Sequence, residues 1–239
     1  VDKPLQGGHG TPSVRRVGDT VVRTAGPWTP AVHRLLRHVA PLVPYDVPLP
    51  LAHEGGEETL TYVPGVAPQY PMPPWVWTDD VLVAVMEMVR ALHDATATFV
   101  PSPDDVWRRP VREPREVVCH NDVAPYNVVF RDERPAGLID LDMAAPGPRV
   151  WDVAYAAYRF VPLARSGNPD VPPAPDAERL RRLALACEAY GLDAGLDAGD
   201  VLRAVPERLD AVAADPVSVR LGHSPIYVAD AAWVRSLTG

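Results

Sequence analysis

Lysine is almost missing from this 239-residue chain: Lys3 is the only one, against 22 arginines. No GxxxxGK[ST] stretch is present, which disfavours a P-loop nucleotide enzyme. No GxSxG elbow supports a hydrolase. Cysteine is nearly as scarce, and Cys119 and Cys187 are far apart with no CxxC pattern that would suggest zinc or redox chemistry, so both thiols are expected to be reduced. No apolar run reaches 18 residues, and residues 1–10 lack the charged and apolar blocks of a secretory signal. A cytoplasmic protein without a membrane partner is expected.

Basic stripes are also absent. The formal net charge is −8, whereas binding to a phosphate backbone calls for clustered positive charge, so no nucleic-acid partner is expected. The charge is unevenly placed: residues 1–68 hold six basic and six acidic side chains, while 69–239 hold 17 and 25. Such an acidic segment can steer a cationic substrate, and an ordinary solubilising surface gives the same count. Nothing in the sequence speaks to oligomeric state.

What is present begins with short β-branched runs. Residues 14–17 and 20–23 flank Gly18 and Asp19, a two-residue connection suited to a tight hairpin. A glycine cluster, Gly7, Gly8 and Gly10, precedes them. Thr29 and Pro30 read as an N-cap and first helical residue. Val32, Leu35, Leu36 and Val39 then repeat at helical spacing. Strands are expected at 49–53 and 58–63 around Glu54, Gly55 and Gly56. Pro64, Gly65 and the proline-rich stretch to residue 74 mark a boundary near residue 66. Beyond it, Thr78 caps a helix to about residue 98, short apolar pieces fall at 117–119, 127–130 and 136–139, and helices are expected at 151–160, 176–190, 200–213 and 226–237.

The segment with the most chemistry is His120-Asn121-Asp122-Val123-Ala124-Pro125-Tyr126-Asn127, followed by Ile139-Asp140-Leu141-Asp142. Two carboxylates and an amide on an apolar hairpin must project from its loops or strand ends. Such oxygen donors suit Mg²⁺, which shares its coordination with substrate phosphates. Phosphoryl transfer needs one carboxylate to orient the attacking hydroxyl and take its proton, and others to hold the metal. A lone HxD triplet is usually a structural turn, and Asp142 alone would be an ordinary strand-end carboxylate; the combination at this spacing is far more specific.

This HxDxxxxN loop followed by IDxD resembles the signature of the aminoglycoside phosphotransferase and choline kinase-like family, relatives of protein kinases. The resemblance implies Asp122 as catalytic base, His120 as a brace of the catalytic loop, and Asn127 and Asp140 as Mg²⁺ ligands, with Asp142 and Asp152 in support. It also implies a glycine loop at Gly7 and Gly8 over the phosphates of ATP or GTP, Arg23 gripping them, and a hinge at Thr61, Tyr62 and Val63 facing the base. Two positions depart from the family. Arg23 stands where lysine is usual, and the helix at 29–40 has no acid to pair with it; Glu54, Glu57 and Glu58 are the nearby acids. His33 and His38 read as surface residues of that helix, with a contact to the phosphate region as the alternative, and His93 as a packing or loop contact.

The expected fold is α+β and bilobal, protein-kinase-like: a small antiparallel-sheet N-lobe with one helix over residues 1–66, and a larger mainly helical C-lobe over 67–239. The expected activity is transfer of the γ-phosphoryl group of ATP or GTP, with Mg²⁺, to a hydroxyl of a small acceptor, cationic if the acidic segment steers it, as an aminoglycoside would be. The alternative is a pseudokinase, a nucleotide- or ligand-binding module without turnover.

Overall fold

The computed structural model describes residues 3–4, 14–191 and 197–237. Gly18, at φ 61°, lets the chain reverse between β2 (Arg15–Val17) and β3 (Thr20–Thr24), because only glycine takes that backbone region without a Cβ penalty. A second reversal at Gly55 and Gly56 joins β4 (Pro50–Glu54) to β5 (Glu57–Thr61). With β1 (Lys3–Pro4) these strands form one antiparallel sheet in the order β1-β2-β3-β5-β4. The register of β3 on β5 sets Arg23 opposite Glu58.

Between the hairpins lies α1 (Thr29–Val39), whose Val32, Leu35, Leu36 and Val39 are buried. The capping expectation fails here. Trp28 is the cap residue, and the Thr29 hydroxyl accepts from the Gly26 N–H at 3.0 Å instead of capping α1. His33 is also buried rather than superficial. His38 turns to the Ala95 carbonyl and the Thr98 hydroxyl, both at 3.0 Å.

The later segment is organised by α2 (Asp79–Thr96), capped by the Thr78 hydroxyl. Leu82, Met86, Val89 and Leu92 of α2 pack into one cluster with Leu138, Val153 and Leu183. Around it stand α3 (Arg149–Phe160), α4 (Asp176–Tyr190), α5 (Ala198–Ala213), the short α6 (Pro216–Arg220) and α7 (Ser224–Ser236). The α6 turn was not expected. Neither was the pairing of β6 (Val117–Cys119) with β9 (Ala145–Gly147), because three-residue strands carry too little alternation to be read. The hairpin of β7 (Val128–Arg131) and β8 (Arg134–Leu138) stands as expected. No helix among the described residues is long and apolar enough to cross a membrane.

Two short stitches tie that hairpin to the chain around the first sheet. Val66 and Phe130 exchange backbone hydrogen bonds at 2.9 and 2.8 Å, while Asp46 bonds Ala136 and Leu138 at 3.0 and 2.9 Å. The linker lies so close to β7 that a Cβ on Gly65 would meet Val129 Cγ1 at 2.4 Å and the Phe130 carbonyl oxygen at 2.6 Å, and φ is 141°. Gly65→Ala is therefore expected to cost about 1–3 kcal/mol, from backbone strain and overpacking together. Urea unfolding would show it as a lowered midpoint at unchanged slope.

Candidate active site

The loop from His120 to Asn127 is held open by one carboxylate. Asp152, at the start of α3 and fully buried, accepts from the backbone N–H of His120 at 2.7 Å and of Asn121 at 2.8 Å, and meets His93 Nε2 at 3.1 Å. Burial pushes its pKa up, yet the bonds from His93 and the His120 N–H prevail and hold it below the ordinary carboxylate value. Asn121, with φ 65°, is a residue type that tolerates the left-handed region, and its side chain donates to the Met143 carbonyl at 3.0 Å. Arg208 of α5 donates to the Asn121 carbonyl at 2.6 Å.

His120 braces the same loop from inside. Its Nδ1 accepts from the Asp122 N–H at 3.2 Å, so Nε2 carries the proton donated to the Ile139 carbonyl at 3.0 Å. That second bond links the loop to the end of β8. Asn127 is fixed by its Nδ2, which donates to the Asp122 carbonyl and to Asp122 Oδ2, both at 2.9 Å. Tyr126 donates to Asp122 Oδ1 at 3.1 Å. Asp122 is thus aimed through both oxygens. Its pKa is raised, chiefly by burial, with His120 opposing and Asp140 adding to the rise.

Asp140 follows β8 in a left-handed conformation, φ 62° and ψ 58°, which turns the chain so that both Asp140 and Asp142 face Arg23. The Arg23 guanidinium donates through Nε to Glu58 at 2.8 Å, through Nη1 to Asp140 at 2.8 Å, and through Nη2 to Asp142. His33 bonds the other Glu58 oxygen at 2.7 Å. Burial alone would lower the Arg23 pKa, but Asp140, Asp142 and Glu58 outweigh it and raise it. Burial pushes Asp142 up to about 6 against the pull of Arg23, with Asp140 and Glu58 adding to the rise. The acid that α1 lacks is therefore supplied by the neighbouring strand. The β3–β5 register carries that signal, although the three candidate glutamates could not be separated without it.

The predicted nucleotide residues divide. Gly7 and Gly8 lie outside the described residues. Thr61 donates its N–H to the Leu49 carbonyl and Tyr62 to the Asp19 carbonyl, both at 2.9 Å, while Arg16 lies 3.7 Å over the Tyr62 ring. Among the described residues Val63 is the position of this stretch whose N–H makes no backbone bond. Sequence reasoning assigned no role to Tyr126, Arg208 or Arg159, since an aromatic or an arginine in a helix carries no motif.

His93, Cys119 and Asp152 also lie together, with possible ligand atoms within 4.8 Å of one another. Their atoms are committed elsewhere. His93 Nδ1 meets the Tyr190 hydroxyl at 2.8 Å, Asp152 holds the loop, and burial raises the Cys119 pKa well above its ordinary value, which keeps the thiol protonated. The cluster is a buried brace.

Residues 90–198 match the phosphotransferase enzyme family. The trifolitoxin immunity protein of Rhizobium leguminosarum bv. trifolii is 36% identical over 158 residues, which are 63% of this chain and 59% of that protein. Among solved structures, an amicoumacin kinase in complex with AMP-PNP and Ca²⁺ superposes with a TM-score of 0.69 at 12% identity, covering 99% of this chain and 88% of that one. A macrolide 2'-phosphotransferase from Brachybacterium faecium gives 0.58 at 17% identity, covering 98% and 91%. At such identities the likeness concerns the fold, and it covers both the sheet and the helical segment.

Proposed function

We propose that this chain transfers the γ-phosphoryl group of ATP or GTP to a hydroxyl of a small molecule, a reading supported by the match of residues 90–198 to the phosphotransferase enzyme family and by the fold shared with the solved phosphotransferases. In this reading residues 1–66 form the nucleotide lobe and 67–239 the catalytic and acceptor lobe. The observation that carries it is Asp122, held through both carboxylate oxygens on a loop that Asp152 and His120 brace from behind.

The donor set fits Mg²⁺. Asn127 spends its amide nitrogen on Asp122, which leaves its carbonyl oxygen as acceptor, and Asp140 adds a carboxylate in the family order. Both are hard oxygen donors of the kind this ion takes together with phosphate oxygens. When bound there, the ion neutralises charge on the nucleotide phosphates.

The chain's own residues do the rest. Asp122 accepts a hydrogen bond from the acceptor hydroxyl, aims its oxygen and takes the proton as the new P–O bond forms and the bond from the γ-phosphorus to the β–γ bridging oxygen breaks, releasing ADP or GDP; a carboxylate whose pKa is raised is the better base. Tyr126 and Asn127 hold Asp122 in place, and positioning supplies much of the rate because the transition state is loose. Arg23 stays pinned to Glu58 through Nε and presents its two Nη groups to the nucleotide phosphates in exchange for Asp140 and Asp142.

The test is nucleotide consumption against a panel of amino sugars, amino alcohols and antibiotics, with thermal-shift titrations of Mg²⁺-ATP and Mg²⁺-GTP. Binding of neither nucleotide overturns the reading, and binding without transfer to any acceptor supports the pseudokinase alternative. Arg23→Lys tests the grip. A lysine has no fork with which to bond Glu58 and a phosphate together, so KM for the nucleotide is expected to rise about tenfold, the value of one charge-assisted hydrogen bond of about 1.5 kcal/mol. An unchanged KM would show that Arg23 does not touch the phosphates.

A further inference from the structure

One face of the helical segment gathers tyrosines around a single arginine. Arg159, near the end of α3, is 6% exposed. Its guanidinium carbon lies 5.4 Å from the ring of Tyr70, 5.6 Å from Tyr126 and 5.7 Å from Tyr158. Among the described residues it donates only to the Tyr70 hydroxyl, and its Nε is buried with no partner. Beside it is a cavity of about 120 Å³, lined by Tyr158, Arg159, Asp170, His223, Ile226 and Tyr227.

An unpaired buried guanidinium is costly. Desolvating an ion costs several kcal/mol, and aromatic faces return about 0.5–2 kcal/mol each. Arg23 is spent on three carboxylates, Arg179 on Asp176 at 3.0 Å and Arg182 on Asp79, while Arg208, whose Nε is likewise buried without a partner, has the Asn121 carbonyl. Arg159 forms no ion pair among the described residues, and Asp170, which lines the same cavity, makes no bond to it. With Nε closed off and Nη2 on Tyr70, Nη1 is the donor left for something that is not part of the chain.

Its distance from the catalytic loop is one tyrosine. The ring of Tyr126 faces the guanidinium while its hydroxyl donates to Asp122 at 3.1 Å. Arg159 also acts electrostatically on the Asp122 carboxylate, so the two charged groups flank one tyrosine ring. We infer that the acceptor carries an anionic group, a carboxylate or phosphate, which Arg159 binds within the tyrosine cage while a hydroxyl on the same small molecule meets Asp122. This specifies the acceptor of the phosphotransfer reading and rests on it. The acidic excess of the later segment is a whole-segment count, whereas this cavity offers one guanidinium and one carboxylate.

Three probes with the hydroxyl at the end of a four-carbon chain separate the possibilities: γ-hydroxybutyrate, aminobutanol and butanediol. Binding is measured by calorimetry or ligand-observed NMR without nucleotide, so that it does not depend on turnover. The anionic probe is expected to bind at least about tenfold more tightly than the other two, a difference of about 1.4 kcal/mol. Arg159→Gln is expected to erase the difference, with its fold checked by circular dichroism. If Arg159→Gln does not fold, Arg159→Lys is expected to weaken γ-hydroxybutyrate and leave butanediol unchanged. Equal binding of the three probes, tighter binding of aminobutanol, or no binding of γ-hydroxybutyrate at tens of millimolar overturns the inference. Nucleotide consumption is scored separately. Binding of the anionic probe with no transfer of phosphate from Mg²⁺-ATP or Mg²⁺-GTP to any acceptor of the panel sinks the kinase reading alone, while transfer to cationic or neutral acceptors that is indifferent to Arg159→Gln sinks only this inference.

Discussion

Asp122→Ala is expected to lower kcat by about a thousandfold or more while nucleotide affinity stays within a factor of about two, because general-base catalysis contributes roughly 10²–10⁴ and Asp122 also orients the hydroxyl. Asp122 bonds Tyr126, Asn127 and His120 and makes no contact with Arg23. Removing its carboxylate leaves Arg23 and its partners untouched, and Asn127 keeps its bond to the Asp122 backbone carbonyl at 2.9 Å. Asp140→Ala should behave differently, since Asp140 sits against Arg23 at 2.8 Å and is the carboxylate proposed to hold the metal. That variant is expected to lose Mg²⁺-dependent nucleotide binding as well as turnover. Single-turnover kinetics with a thermal-shift titration of Mg²⁺-ATP separates the two, and undiminished turnover in either variant refutes the assignment of that residue.

Asp152→Ala carries the largest expected effect on stability, a loss of about 3–5 kcal/mol, since removing one member of a buried, hydrogen-bonded charged group strands its partners. Those partners are the N–H groups of His120 and Asn121 and the ring of His93, all buried. Asp152→Asn keeps one acceptor oxygen and is expected to cost less, about 2 kcal/mol. The pH dependence has a definite sign. The Asp152 pKa is lowered in the folded protein, so its contribution is fully present above the ordinary aspartate value of about 3.9 and is lost as pH falls through the folded value. The stability gap between the native protein and Asp152→Asn should therefore be full at neutral pH and narrow below about pH 4. Urea unfolding at several pH values measures it, and a gap that widens in acid would reject the account.

Both predictions concern the stretch from Cys119 to Asp152, where the sequence was most legible. His120, Asp122, Asn127 and Asp140 sit on a single hairpin and its entry loop, so their proximity follows from local chain order once β7 and β8 are recognised from their apolar pattern. The long helices were legible for a related reason: α4 begins and ends where its apolar periodicity does. The pairing of β6 with β9 was not, because its partners are three residues each and 26 positions apart between Cys119 and Ala145. Nor was Arg208, which reaches the catalytic loop across 87 positions of sequence.

Around Arg23 the same division is sharper. The sequence alone determined that a cation stands in the third strand of the sheet and that α1 offers it no acid, since both are statements about residue type and local order. It could not say that Glu58 fills that place and that His33 backs it, because strand register and helix docking are settled by how two apolar faces pack. The tyrosine cage on Arg159 lies further still from anything local: Tyr70, Tyr126, Tyr158 and Tyr227 come from four separate parts of the chain. Local order specified the catalytic loop because its hydrogen bonds are made largely within one hairpin. Tertiary packing alone decided the electrostatics around Arg23 and around Arg159, because a charge is buried or paired only by groups that folding brings to it.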